Sequence, residues 1–159
     1  ALMRQECLAM LDQIVTLTGL IDAKTAKVKE LGAATAVSQR LQTMPGVGPM
    51  VAMAVETFAP DMKSFRSGRD FAAWLGLLPR QFSSGGKERL GRITKAGQAD
   101  IRQMLIVGVT SRPNWMGRKS IPEGSCLATL MARKPRMLVA TALANKMARQ
   151  IWAMLTKHE

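Results

Sequence analysis

Residues 1–31 contain no proline, and their apolar side chains keep a coiled-coil rhythm. Cys7, Leu11, Ile14, Thr18, Ile21, Thr25 and Val28 follow one another at alternating spacings of four and three. Only a helix gathers residues so spaced onto one seam, so the chain is expected to open with a single long helix. Two threonines and a cysteine weaken the seam, and Gly19 costs about 1 kcal/mol of helix preference. Two outcomes stay open for residues 1–40. They form a coiled-coil-like arm that pairs with another arm or another chain, or an amphipathic helix packed on its own domain.

Residues 41–159 are expected to form a second, helical unit. Gly32 and the small residues after it loosen the first pattern, and a short helix is expected to end at Leu41. Helices are then expected over 49–59, 70–77, 98–111, 126–132 and 135–156. Ser125 is placed as an N-cap, Pro113 as a stop and Pro135 in a first turn. Ile101, Met104, Leu105 and Val109 share one face, as do Val139, Leu143, Met147 and Ile151. Phe71 and Trp74 sit at helical spacing and read as core. No strand alternation of convincing length and no internal repeat appears. The fold class is therefore all-α.

Charge divides the chain unevenly. Residues 1–40 hold five bases against four acids, whereas residues 41–159 hold eighteen against seven. Nearly all of the net charge of +12 lies in the second unit. Such an excess fits a polyanion, because neutralising phosphates releases counterions. The competing reading is a surface charged for solubility.

What is missing narrows the chemistry. There is no Tyr, one His (His158) and two distant Cys, Cys7 and Cys126. A tyrosine recombinase and a His-based nuclease are excluded, and a Ser-His-Asp hydrolase survives only if the tail folds back. A Cys/His zinc site lacks ligands, so no metal site is expected within the chain. Two lone cysteines suit a reducing cytoplasm. No apolar run reaches the roughly 18 residues of a membrane span. No signal peptide opens the chain, and a start at Ala1 suggests a fragment or a processed product.

Two segments carry the candidate chemistry. Met44-Pro45-Gly46-Val47-Gly48-Pro49-Met50-Val51 reads as a helix-hairpin-helix turn. Gly46 and Gly48 would permit positive φ and close backbone approach, and the next helix would aim its N–H groups at a phosphate. The same residues can be plain punctuation. Residues 78–97 carry Arg80, Lys87, Arg89, Arg92 and Lys95 against Glu88, with four glycines. They read as a flexible basic loop able to wrap a phosphate backbone, with Ser83 and Ser84 at its apex. The loop lacks the GxxxxGK[ST] spacing of a P-loop. A serine can attack a phosphodiester when arginines stabilise the developing charge. Taken alone, Ser-Ser-Gly-Gly is an ordinary loop. Arg112 to Gly124 reads as a further loop with three bases and Trp115.

The stretches MPGVGPMVAMAVE (44–56) and FRSGRDFAAWLGLLPRQFSSGGKERLGRITKAGQADIRQMLI (65–106), with the later Ala-rich helix, resemble the C-terminal domain of insertion-sequence transposases of the 110/116/902 type. The heptad helix also looks like that family's coiled coil, so the resemblance covers nearly the whole chain. It implies DNA transposition, with DNA as partner, a structured guide RNA in better-known members, and a bacterial, nucleoid-associated location. It implies a serine joined covalently to DNA, and the matching position is Ser84, with Ser83 in reserve. It also implies an N-terminal RuvC-like half whose acidic tetrad binds Mg2+. That half is absent from these residues, so the chain alone is expected to bind nucleic acid and turn over poorly. The alternatives are a non-enzymatic helix-hairpin-helix module, a truncated relic that grips nucleic acid without cutting, and a piece whose role is self-association through its first helix.

Overall fold

A computed structural model describes residues 2–83, 86–87, 89–111 and 124–157. Among them are seven helices: α1 (Leu2–Ala34), α2 (Ala36–Gln42), α3 (Pro49–Phe58), α4 (Gly68–Trp74), α5 (Ala99–Thr110), α6 (Cys126–Arg133) and α7 (Arg136–Thr156). A two-stranded antiparallel ribbon, β1 (Pro79–Gln81) and β2 (Leu90–Ile93), stands between α4 and α5. The fold is all-α, with the ribbon as its one addition among the described residues.

The core is built on α7. Its buried face carries Val139, Leu143, Met147 and Ile151, interleaved with Ala140, Ala144 and Ala148. Alanines at a spacing of four let neighbouring helices come close. At Gly68, where α4 begins, an added Cβ would stand 3.1 Å from the backbone of Arg149. Phe71 and Leu75 of the α4 segment, Ile101 and Leu105 of α5, and Val51 and Val55 of α3 complete the core. Phe65, Phe71 and Trp74 form an aromatic cluster with centroids 5.3–5.9 Å apart. These aromatics are packing elements, as their spacing indicated. The polar connection expected over 61–67 is better ordered than its composition implied. Asp61 caps a single 3-10 turn, Met62 is buried, and Trp152 Nε1 donates to the Met62 carbonyl at 3.1 Å.

α1 differs. At 33 residues it is about 50 Å long. Its only buried residue is Gly32, and residues 2–24 are exposed throughout. The seam residues Leu11, Ile14 and Ile21 face solvent, while Thr25 and Val28 are half-buried beside the domain. The alternative in which this helix packs along its own domain is therefore not what forms for residues 2–24.

α1 stops where the small residues begin. Thr35 caps α2 by accepting from the Ser38 N–H, and its hydroxyl donates to Glu56 Oε2 at 2.8 Å. Gln42 Nε2 donates to the Gly32 carbonyl at 3.2 Å, which closes the corner between α1 and α2.

Candidate nucleic-acid interface

The glycine turn, residues 43–48, links α2 to α3. Gly46 has φ +92°, a conformation open to glycine and costly for other residues. Met44 and Val47 are buried on either side of it, so the turn is pinned to the core by its apolar residues. The Val47 N–H donates to the Met44 carbonyl at 3.0 Å. Gly48 takes the N-cap position with φ −93°, which any residue can adopt. No side chain caps α3, and Pro49 fills its first turn. The turn rests on α5 at Gly108, where an added Cβ would collide with the Gly46 carbonyl oxygen.

The segment expected as a loop over 78–97 is a ribbon along much of its length. Pro79 pairs with Ile93 and Gln81 with Leu90, and the register slips by one residue between them. The Phe82 N–H donates to the Arg89 carbonyl at 2.8 Å, and the Thr94 N–H to the Leu78 carbonyl at 2.9 Å. Its strands are three and four residues long and almost wholly exposed. With no buried face there is no apolar alternation to read, and backbone pairing joins the two strands.

Arg80, Lys87, Arg89, Arg92 and Lys95 are found on this ribbon or at its exit; Arg80, Lys87, Arg89, Arg92 and Lys95 all face water. The Arg80 guanidinium reaches the Thr94 carbonyl only at 3.5 Å. Lys95 has φ +55°, and its N–H donates to the Gly76 carbonyl at 3.1 Å. Ser83 is exposed, whereas Ser84 lies outside the described residues, as do Gly85 and Glu88. The basic connection expected over 112–124, with Pro113 and Trp115, also lies outside them except for Gly124, and so does His158.

The root of the ribbon is held far more tightly than its strands. Gly76 and Gly97 both have positive φ, and an added Cβ at either would collide with backbone of the segment that crosses it, at Ala96 and Trp74 respectively. Arg102, 8% exposed, donates from Nη1 to the Leu75 carbonyl at 2.9 Å and to the Ala96 carbonyl at 3.2 Å. One buried cation thus ties the C-terminal end of α4, where the helix dipole is negative, to the returning strand. Asn145 of α7 adds a bond from Nδ2 to the Leu77 carbonyl at 3.3 Å. Sequence reasoning did not single out Arg102 or Asn145. The one available signal was an arginine on the apolar face of α5, one residue after Ile101.

The glycine turn and the ribbon do not merge into one cluster. They dock on the two ends of α5, the ribbon root at Arg102 and the turn at Gly108, about 9 Å apart along the helix. α5 is the spacer between them. Among the described residues no three His, Cys, Asp or Glu side chains converge as a metal site would need, and no helix is long and apolar enough to cross a membrane.

The described residues thus form a helical domain that displays an exposed basic ribbon from a clamped root. The chain belongs to the transposase IS116/IS110/IS902 family, whose model matches residues 38–121, just over half of its length. That match runs from α2 through the glycine turn, the ribbon and α5. The chain is 41% identical over 146 residues to a protein of Pseudomonas aeruginosa named as a probable family 20 transposase, covering 92% of this chain and 43% of the relative. It is 37% identical over 133 residues to the transposase for insertion sequence element IS1111A of Coxiella burnetii, covering 84% and 36%. It is 38% identical over 120 residues to the transposase for insertion sequence element IS1328 of Yersinia enterocolitica, covering 76% and 36%. The chain therefore spans less than half the length of these relatives.

Proposed function

We propose that this chain is the serine-bearing, DNA-handling part of a transposase that acts in DNA transposition. The observation that carries the reading is the exposed basic ribbon on its clamped root, within the stretch that the family match spans. Arg80, Lys87, Arg89, Arg92 and Lys95 hold backbone phosphates, with the N-terminus of α3 at Gly46 and Gly48 as a second phosphate contact. Ser84 is the nucleophile. Its Oγ attacks a phosphodiester phosphorus, and a serine–phosphate bond forms as the bond to one deoxyribose oxygen breaks. The serine proton passes to solvent, and the departing oxygen takes up a proton as a hydroxyl. A second DNA hydroxyl then attacks the phosphoserine and restores the serine, so each bond broken is matched by one made. The arginines stabilise the charge that grows on the phosphoryl oxygens.

Among the described residues no cluster of acidic side chains fits a magnesium site. On this reading a RuvC-like half and its Mg2+ lie outside residues 1–159. α1 serves self-association, and the protein works on DNA in the bacterial cytoplasm.

The test supplies the family's N-terminal half and a DNA substrate and looks for an adduct that survives SDS. The adduct is expected with the native chain and absent with Ser84→Ala. An adduct that persists in Ser84→Ala and vanishes in Ser83→Ala moves the nucleophile by one residue. The same exposed basic ribbon also suits a second reading, a binding module that grips nucleic acid without cutting. It predicts binding with no adduct under any condition. The same binding assay run with a structured RNA tests the guide-RNA partner.

A further inference from the structure

Phe82 and Leu90 are exposed apolar residues of the ribbon that phosphate binding leaves unexplained, and Phe82 is the aromatic one. Phe82 is 60% exposed, two positions before Ser84, on a ribbon whose described charged side chains are all basic. The ring is held in place. An added Cβ on Gly91, across the ribbon, would stand 2.6 Å from Phe82 Cε2. The absence of a side chain at Gly91 is what lets the ring lie against the opposite strand. The Phe82 N–H is bonded to the Arg89 carbonyl, so the backbone that carries the ring is fixed as well. One side of the ring is thus backed by protein and the rest faces water, amid exposed Arg80, Arg89 and Arg92. Leaving a phenylalanine exposed forgoes about 2 kcal/mol of burial. A partner that is anionic and also offers flat π faces satisfies both the arginines and the ring, and nucleic acid with an unstacked base is such a partner. An apolar protein surface would satisfy the ring and strand the cations.

We propose that Phe82 is a stacking platform for an unstacked DNA base, positioned by Gly91 beside the phosphate-binding arginines. The inference rests on the nucleic-acid reading above, but not on Ser84 as nucleophile. A base that leaves the duplex stack bends the backbone away from its neighbours and exposes the adjoining phosphodiester. A ring that receives such a base selects distorted or unpaired DNA over an intact duplex.

The experiment measures the affinity of this chain, by fluorescence anisotropy, for two labelled DNAs of equal length. One is fully paired and one carries a central unpaired bubble. The native chain is expected to prefer the bubble about tenfold, within the range of one base–aromatic stack. Phe82→Ala and Phe82→Leu should both abolish the preference, and Phe82→Tyr should keep it. The salt dependence should stay unchanged in all three, since no cation is removed. Leucine separates stacking from a role in covering Gly91, because it covers the glycine without a π face. A native chain with no preference, or a preference that survives Phe82→Leu, overturns the proposal. Failure of the native chain to bind either DNA overturns the nucleic-acid reading and this inference with it. Loss of the Ser84 adduct alone leaves this inference standing.

Discussion

α1 and α7 are the two long helices of the molecule, and both carry apolar residues at helical spacing. α7 buries its stripe against α4 and α5 and becomes the spine of the core. α1 buries only Gly32 and leaves Leu11, Ile14, Leu17, Leu20 and Ile21 in solvent. Periodicity reveals that a helix has an apolar face, but not what covers it. What separates the two is composition. α7 alternates large residues with Ala140, Ala144 and Ala148, which suits contact with several close neighbours inside one domain. α1 has larger residues spread over a broad arc, and a lone helix of this kind is marginal in water until something shields it.

The sharpest way to break this comparison is to place a carboxylate on each helix. Ile151 is fully buried, so Ile151→Asp buries an unpaired charge and is expected to cost more than about 4 kcal/mol and prevent folding. Ile14 and Ile21 are 58% and 63% exposed. Aspartates at both should leave the thermal unfolding of the 41–159 core unchanged and abolish self-association, as read by sedimentation. A large loss of melting temperature from the α1 pair would mean that the arm is packed on its own domain after all. An unchanged sedimentation coefficient would remove the self-association role.

The same contrast between covered and uncovered faces explains what the sequence reveals. α3, α5, α6 and α7 begin and end within a residue or two of their expected limits, because Pro49, Ser125 and Pro135 are chemical punctuation and each helix has a face to bury. Ser125 accepts from the Ala128 N–H, as an N-cap should. α4 starts earlier than expected, since Ser67 rather than the region of Asp70 caps the helix. The ribbon reads as a loop in sequence because exposed strands carry no apolar alternation. Its basic residues are still legible, as charge is visible without structure. Arg102 is not, because its role comes from two carbonyls that approach it only in the fold. Ser84 rests on resemblance, and its placement is beyond the described residues.

Arg102 sharpens a second contrast, between the rigid root of the ribbon and its exposed strands. Removing the guanidinium in Arg102→Leu leaves the Leu75 and Ala96 carbonyls without that donor. The expected loss is about 2 kcal/mol of stability, measured by urea unfolding. Amide exchange should accelerate at Lys95, whose N–H bonds the Gly76 carbonyl at the same crossing. Exchange that stays as slow as in the native chain would mean that the two glycine crossings hold the root without the arginine.

The smallest effect on folding belongs to the strands, and it separates the two parts of the ribbon most cleanly. Arg92 is exposed in β2 and contributes nothing to the core. Arg92→Ala should change unfolding free energy by less than about 0.5 kcal/mol. Its effect should appear instead in DNA binding, where the slope of log affinity against log salt falls by about one unit for each phosphate no longer neutralised. Arg102→Leu should do the reverse, with a clear loss of stability and a slope that barely moves under conditions where it remains folded. The two arginines stand ten positions apart and carry the same charge. One is desolvated and bound to carbonyls, so its work is internal. The other is hydrated and open to a phosphate. If both variants lowered the slope equally, the division between a structural root and a DNA-facing strand would fail, and the ribbon would have to be treated as one binding unit down to its base.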